Sequence, residues 1–270
     1  NLLSTGKSPE ATVAILEDCG RHLAQYWHLR FGEDSKEFLA CRGYRNRITV
    51  HVEPPSIGFR GTDPRRLIDI RACLLADEIV NSELVRLRRK KHPHSGPATL
   101  RSLQEHGGFR QVNDGAADVL ADLVLELAGK GELLIDAYCG AGFFARKLRQ
   151  SFTRIIGIDW DARSMASAQN GALPTEEYRT GDTAELLPIA LAETSDPVVL
   201  LDPPAQGLAP AVIGALLSAQ PPRIVYVSCD PATLARDLSK LGKVYQLRRA
   251  APVDMFPQTA SIETACLLEL

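Results

Sequence analysis

Short apolar runs alternate with helical patterns in the second half of the chain. The runs have the length of buried strands and read "ELLIDAY", "RIIGIDW", "PVVLLD" and "PRIVYVS". A helical pattern follows each of them, and an apolar helical stripe precedes the first, made of Val119, Leu120, Leu123, Val124 and Leu127. This alternation predicts an α/β fold, in which a parallel sheet carries helices on both faces. In such a sheet, ligands bind at the carboxyl ends of the strands.

The first hundred residues follow a different pattern. Residues 9–31 have helical periodicity, whereas "RNRITVHV", "SIGFRG" and "RLIDI" alternate and are interrupted by Pro and Gly, which predicts a small antiparallel β unit. The segment "SGPATL" at 95–100 predicts a linker. We therefore expect an accessory module at residues 1–105 and a parallel-sheet domain at 106–270, with the 9–31 helix packed on either one.

The formal net charge of −2 conceals a strong asymmetry. Residues 36–110 carry 15 basic and 8 acidic side chains, whereas residues 111–270 carry 13 and 20. The basic side chains concentrate in three runs, at 44–47, 60–66 and 86–94. Any one run alone is more simply a solvated surface, but three in one module favour contact with a polyanion.

The cysteines and the apolar runs limit the class of protein. None of the six cysteines forms a CxxC pair, which argues against a disulfide scaffold or a zinc site and favours reduced thiols. No apolar run is long enough to span a bilayer, and the first residues lack the layout of a secretory signal. We expect a cytoplasmic protein that binds no metal and no membrane, and nothing in the sequence implies a protein partner.

A glycine turn and an aspartate predict a nucleoside site. Gly140 and Gly142 follow the first strand, and Asp159 ends the second strand 19 residues after Gly140, where a carboxylate can accept both ribose hydroxyls. The third glycine of a dinucleotide motif is absent, which suits an adenosine ligand without phosphates. The alternative is a simple strand-to-helix turn. Asp182 either contacts the adenine amino group or caps a helix.

Two further strand ends carry reactive side chains. Asp202 is followed by two prolines that stiffen the turn, and Cys229 directly precedes a helix that begins at Asp230 and Pro231. Backbone N–H groups and the helix dipole are expected to favour the Cys229 thiolate and make it nucleophilic. The alternative is that Cys229 is a small apolar residue of the core.

Taken together, the motifs resemble the RNA uracil-5 methyltransferases, which use S-adenosylmethionine to make 5-methyluridine in transfer and ribosomal RNA. The resemblance runs from "GFRQVN" at 108–113 through "LIDAYCGAGFF", "GIDWD", "LLDPPAQGL" and "IVYVSCDPATLARDL" to "VDMFPQTASIETACLLEL". The stretch around Cys229, followed by "DMFPQTASIE", is its most specific part. "YRNR" and "IGFRG" extend it more weakly into the basic module.

The resemblance implies a fold, a reaction and a set of site residues. The fold is a Rossmann-like class I methyltransferase domain beside a basic α/β module that binds RNA, either tRNA or rRNA. Cys229 adds to C6 of a uridine, S-adenosylmethionine methylates C5, and Glu263 removes the C5 proton. Together with the glycine turn, the expected cofactor-binding residues are Gln111, Tyr138, Gly140, Phe143, Asp159, Asp182 and Asp202. The expected substrate-binding residues are Phe109, Asn113, Asp202, Arg45 and Arg47.

The chain also departs from its relatives. Many carry an arginine where this chain has Ala205, and some hold an iron–sulfur cluster on a C-x5-C-x2-C triplet that is absent here. We therefore expect no cluster, with Cys73 as buried packing, and we regard Cys139 as the rival nucleophile. Two alternative functions stay open: a cytosine-5 or small-molecule methyltransferase on the same fold, and a catalytically silent RNA-binding protein.

Overall fold

The computed structural model describes residues 42–61, 63–91, 93–102, 113–257 and 262–270. The described residues form two units, a smaller one that contains 42–102 and 113–115 and a larger one that contains 116–270. The helix predicted at 9–31 lies outside the described residues. The predicted boundary between 105 and 106 does too, so both stay predictions.

The smaller unit is a four-stranded antiparallel sheet covered on one face by a helix. The sheet order is β3-β2-β1-β4, as expected for a small antiparallel unit. Alternate residues of β1 are buried against the helix, whose own buried residues are Val80 and Leu84. The elements are β1 Arg47–Glu53, β2 Ser56–Arg60, β3 Leu67–Asp69, α1 Glu78–Arg88 and β4 Gly96–Arg101.

One expectation for this unit was wrong, and one residue of a basic run makes a structural contact. The segment at 95–100 is not a linker, because Gly96–Arg101 forms β4 and pairs with β1 along its length. It is an edge strand, where Pro97 removes no hydrogen bond that the sheet needs. In the basic run at 86–94, Arg88 is structural: its guanidinium donates to both oxygens of Asp69, at 2.8 and 2.9 Å.

The larger unit is built on a seven-stranded sheet in the order β10-β11-β9-β8-β5-β6-β7. The predicted parallel strands are present, since β5 pairs in parallel with β6 and β8, and β8 pairs in parallel with β9. β11 is antiparallel and lies between β9 and β10. The strands are β5 Gly131–Ala137, β6 Phe152–Asp159, β7 Glu176–Thr180, β8 Pro197–Leu201, β9 Arg223–Ser228, β10 Gln246–Val253 and β11 Glu263–Glu269.

Helices cover both faces of this sheet. One apolar cluster packs α5, α6 and α7 on one face, and a second packs α2, α3 and α4 on the other. All five residues from Leu133 to Ala137 in β5 are buried, as expected for a central strand between two helical layers. The helices are α2 Asp114–Ala128, α3 Phe143–Leu148, α4 Ala162–Asn170, α5 Thr183–Leu191, α6 Pro210–Ala219 and α7 Pro231–Leu241.

Candidate active site

The carboxyl ends of four neighbouring strands bring the predicted site residues to one edge of the sheet. Tyr138 follows β5, Asp159 ends β6, Asp202 follows β8 and Cys229 follows β9. The parallel register pairs Ala137 with both Ile158 and Leu201, so the residues after them lie side by side. This edge is where a sheet of this kind binds its ligands.

The Asp159 carboxylate is fixed by two backbone donors. Gly140 N–H donates to Oδ2 at 2.8 Å, and Asp161 N–H donates to Oδ1 at 2.9 Å. A carboxylate has about four acceptor positions, so two remain for a ligand. The arrangement fits the ribose hydroxyls of a nucleoside.

The glycine turn leaves room beside this carboxylate. Gly140 has a positive φ of 53°, and a Cβ placed there would meet no atom within 4 Å. Gly142, at φ 77°, is different, because a Cβ on it would crowd the hydroxyl of Tyr178. Gly140 therefore opens space to a ligand, whereas Gly142 serves internal packing.

Tyr138 and Phe143, on either side of the glycine turn, make contacts with different parts of the unit. Tyr138 is held in the left-handed region at φ 67°, which is uncommon for an aromatic residue and is often associated with functional sites. Its hydroxyl lies near Thr183, at the start of α5. Burial, followed by the charges of Asp182 and Asp237, raises the pKa of Tyr138 to about 12. Phe143 begins α3 and packs its ring edge on Phe144, 5.0 Å between centroids.

Asp182 caps helix α5, which is one of the two roles expected for it from the sequence. Its Oδ1 accepts a hydrogen bond from Ala184 N–H at 2.8 Å at the start of α5. The side chain is exposed, so capping leaves the other oxygen open to solvent. A cap role and a ligand role are compatible here.

Cys229 lies between the end of β9 and the first turn of α7. Asp230 caps α7 as predicted, accepting from Thr233 N–H at 2.7 Å, and Pro231 is at the first helical position. Leu234, Leu238 and Leu241 form the buried face of α7. The thiol is partly exposed, which a nucleophile requires.

Glu263 begins β11 and lies near enough to Cys229 for its charge to act on the thiol. The antiparallel register of β9 and β11 ends with the pair of Thr264 and Ser228, and Glu263 and Cys229 are the chain neighbours of that pair. Glu263 is buried, and burial raises the pKa of its carboxyl to about 7. At neutral pH, this carboxyl therefore exchanges readily between its acid and base forms.

The expectation of a thiolate favoured by the helix is wrong for the ligand-free protein. Burial, followed by the charges of Glu263 and Asp202, raises the pKa of the Cys229 thiol to about 11. The thiol is therefore protonated at neutral pH and needs a base to release its proton.

Asp202 joins this group from β8. Burial raises the pKa of its carboxyl well above the usual range, and the charges of Glu263 and Asp136 act in the same direction. Pro203 and Pro204 follow it, and Gly207 N–H closes a turn onto Pro204 O at 2.8 Å. Ala205, which replaces the expected arginine, is exposed in that turn.

One buried acid beneath this edge was missed by the sequence analysis. Asp136 lies in β5 and is fully buried; its Oδ2 accepts from Ala145 N–H at 3.2 Å, and its Oδ1 has no hydrogen-bond partner. Burial and the charge of Asp159 raise the pKa of Asp136 to about 7. An acid in the middle of the run "ELLIDAY" was the available signal.

The other described cysteines are less suited to act as a nucleophile. Cys139 is buried with its sulfur 3.6 Å from the sulfur of Met165, and burial raises its pKa strongly. Cys266 is buried in β11, and Cys73 is half-buried against the core of the smaller unit.

Among the described residues, no group of three or more His, Cys, Asp or Glu side chains could hold a metal ion. No helix in the described ranges is both long and apolar enough to cross a membrane.

The smaller unit holds the remaining described candidates. Arg45 forms isolated β-bridges with Ala76 and Asn113, which brings Arg45 and Asn113 together. Arg47 begins β1 and is directly paired with Arg101 of β4. Phe109 and Gln111 lie outside the described residues.

Comparison with known proteins supports the interpretation of these motifs. Residues 176–270 match the sequence model of the tRNA (uracil-5-)-methyltransferase family. An uncharacterized RNA methyltransferase of Enterococcus faecalis is 39% identical over 168 residues, which are 59% of this chain and 37% of that protein. One of Nitratidesulfovibrio vulgaris is 40% identical over 173 residues, which are 60% and 37% of the two chains. The chain thus spans a little over a third of the length of these curated relatives.

A solved structure has the same fold. The tRNA (uracil-54, C5)-methyltransferase of Pyrococcus abyssi, determined with S-adenosyl-L-homocysteine, aligns with a TM-score of 0.66 and 22% identity. The alignment covers 84% of this chain and 76% of that one. The seven-stranded unit therefore has the Rossmann-like methyltransferase fold that the sequence predicted.

Proposed function

We propose, from the premise that this chain is related to the tRNA (uracil-5-)-methyltransferase family through residues 176–270, that the protein methylates C5 of a uridine in RNA with S-adenosylmethionine. The observation that carries the proposal is the meeting of a thiol and two carboxyl groups at one sheet edge. Cys229, Glu263 and Asp202 come from three different strands and act on one another electrostatically. A simple fold-stabilising role does not require this combination.

The residues at the ends of β5 and β6 fit the cofactor. Asp159 would accept the ribose hydroxyls, Gly140 would allow close approach, and Tyr138 and Asp182 would contact the rest of the nucleoside. Phe143 lines the same turn, and Gln111 is proposed by family resemblance alone. When bound, S-adenosylmethionine supplies an electrophilic methyl group on a sulfonium centre.

Cys229 would supply the nucleophile that activates the uracil. The thiol would first lose its proton, which it regains on release, and its sulfur would form a bond to C6 while the electrons of the C5–C6 double bond move to C5 and O4. C5 would then be nucleophilic enough to accept the methyl group that S-adenosylmethionine supplies. Nucleophilic catalysis thus divides one difficult substitution into easier steps.

Glu263 would complete the reaction as the general base. It takes the proton from C5, the double bond re-forms, and the C6–S bond breaks to release the thiolate. One proton leaves to solvent for each methyl group transferred. A carboxyl group with a pKa of about 7 is well suited to this exchange at neutral pH.

The open face of the smaller sheet is the proposed contact with RNA phosphates. Arg47 and Arg101 are paired across β1 and β4, and Thr49 and Thr99 follow on the same face with their hydroxyls 3.0 Å apart. Burial of Arg47, followed by the charge of Arg101, lowers the pKa of Arg47, and a bound phosphate would act against the second of these causes. Arg45, Asn113 and Phe109 are proposed to contact the same RNA.

A substrate with fluorine at C5 tests the chemistry. We would incubate the 270-residue chain with S-adenosylmethionine and RNA that contains 5-fluorouridine, and measure the mass of the protein. Fluorine cannot leave as a proton does, so a covalent protein–RNA adduct should persist. Cys229→Ala should form none, and Cys139→Ser should form it as the unmodified chain does. On ordinary uridine RNA, Glu263→Gln should accumulate the adduct.

Four results would contradict the proposal. An adduct in Cys229→Ala would assign the nucleophile to another residue. Methylated cytosine in the digested RNA, or methyl transfer in the absence of RNA, would assign the chain to another class of methyltransferase. RNA binding with neither adduct nor methyl transfer would favour a silent binding protein.

A further inference from the structure

A fully buried carboxylate, Asp237, joins three elements of the larger unit. It lies on α7, and its Oδ2 accepts hydrogen bonds from the Tyr226 hydroxyl at 2.9 Å and from Leu208 N–H at 2.8 Å. Its Oδ1 accepts from Arg236 Nε at 3.0 Å. One side chain thus connects α7 to β9 and to the segment that follows β8. Sequence analysis assigned it no role.

The chain segment that begins with Asp202 is held against α7 by Asp237 and by its neighbour Arg236. Arg236 also donates to the backbone oxygen of Gln206 at 2.8 Å. Gly207 has a φ of +74°, and a Cβ on it would collide with the Asp237 carboxylate. The approach is therefore close, and the segment has little freedom to shift.

The other end of the network leads to the thiol. Tyr226 is fully buried in β9, three residues before Cys229. Its hydroxyl has Asp237 as a partner in a site where an unpaired polar group would be costly. Asp237 therefore contacts both the strand that delivers Cys229 and the segment that delivers Asp202.

We propose that Asp237 is a positioning residue, which sets the distance between the Asp202 carboxyl and the Cys229 thiol. It touches neither substrate nor cofactor and acts through Leu208 and Tyr226. The assignment of a catalytic consequence rests on the proposed function. Errors of about 1 Å in such a distance cost roughly a hundredfold in rate.

A double-mutant cycle tests the positioning without assuming any activity. The alkylation of Cys229 by iodoacetamide, followed by peptide mass spectrometry across pH, reports the charge that Asp202 exerts on the thiol. Asp202→Asn should shift this profile to lower pH. Asp237→Ala should shift it in the same direction because the Asp202 segment moves away, and the double variant should match Asp202→Asn alone. An unchanged profile in Asp237→Ala, or additive shifts, would overturn the proposal.

Two variants on the surface of α7 test whether a shift of the alkylation profile is a general effect of charge. Arg236→Ala removes the hydrogen bond to Gln206 and should shift the profile partway, whereas Lys240→Ala, one turn later on the same helix, removes a positive charge and leaves that hydrogen bond in place. Equal shifts in the two variants would mean a general charge effect and would refute the positioning role.

Adduct formation then gives the catalytic consequence. Per folded molecule, Asp237→Ala should form the 5-fluorouridine adduct roughly a hundredfold more slowly, with unchanged affinity for S-adenosylmethionine. Asp237→Asn, which keeps an acceptor for Leu208 N–H, should recover part of the rate. A normal rate in Asp237→Ala contradicts the proposal, whereas failure of the unmodified chain contradicts the proposed function and leaves the alkylation result intact.

Discussion

Glu263 and Cys229 each adjoin the last residue pair of β11 and β9, Thr264 with Ser228, at the sheet edge. The two residues are 34 positions apart in the chain and meet only because β11 inserts beside β9. The charge of Glu263 raises the pKa of the thiol, after burial, which is the larger cause. In the ligand-free protein, burial and this charge together keep the nucleophile protonated at neutral pH.

The first prediction concerns this pair. In Glu263→Gln, the pKa of Cys229 should fall because a nearby negative charge is removed. A fall of about half a unit to one unit would raise the rate of alkylation by iodoacetamide at pH 8 by roughly 3- to 10-fold. Below pH 7 the difference should close, since Glu263 itself becomes neutral there.

Glu132→Gln is the matched control for this experiment, because Glu132 is exposed near the opposite end of β5. Equal rates in all three proteins at pH 8 would show that the acid does not act on the thiol.

The second prediction separates the two roles of Asp182. Asp182→Ala should lose about 1 kcal/mol of unfolding free energy with the helix cap, whereas Asp182→Ser keeps a capping oxygen and most of that stability. Both variants should bind S-adenosylmethionine roughly tenfold more weakly, because a hydrogen bond to a charged group contributes about 1.5 kcal/mol or more. Calorimetric titration and urea unfolding measure the two quantities. Full affinity for S-adenosylmethionine in Asp182→Ser would mean that Asp182 acts only as a helix cap.

The third prediction concerns the buried Asp136. Its pKa is raised from the ordinary aspartate value of 3.8 to about 7 in the folded protein, so folding favours its protonated form. Its contribution is therefore fully present below about pH 4 and is lost as the pH rises through 7. Between pH 5 and 8, the free energy of unfolding should fall by on the order of a few kcal/mol more in the unmodified chain than in Asp136→Asn.

Urea unfolding of both proteins at several pH values provides the measurement. Glu263 titrates in the same direction in both, so the difference between them isolates Asp136. Parallel pH profiles would mean that Asp136 does not change its protonation on folding.

The fourth prediction concerns the arginine pair of the smaller sheet. Arg47→Gln and Arg101→Gln should each reduce the slope of log affinity for RNA against log salt concentration by about one, since each removes one phosphate contact. Arg86→Gln, on α1 at the other face of the sheet, should leave the slope unchanged. Equal slopes for all the variants would exclude this face from RNA binding.

Local patterns in the sequence predicted much of the larger unit. The alternation of buried strands and helices, the glycine turn before Asp159 and the cap at Asp230 depend on neighbours in the chain, so they can be inferred from short windows. The edge strand β4 was missed because its Gly and Pro resemble a linker. A Pro at an edge is tolerated, so composition there does not separate the two cases.

The electrostatics of the site could not be predicted in the same way. The helix start behind Cys229 is visible in the sequence, and it alone favours a thiolate. The carboxyl groups that oppose it arrive from β8 and β11, whose register with β9 is set by tertiary packing. The network of Asp237 is equally non-local, since Leu208 lies 29 residues away from it.

The order of the strands divides the sheet edge into two parts, with β5 and β6 on one side and β8, β9 and β11 on the other. In the proposed function, the donor is held mainly by chain segments that finish before residue 183 and the uracil by segments that begin after residue 201, and Asp202 lies next to both. Changes that retune which base is attacked can therefore accumulate on one side without disturbing the methyl supply on the other.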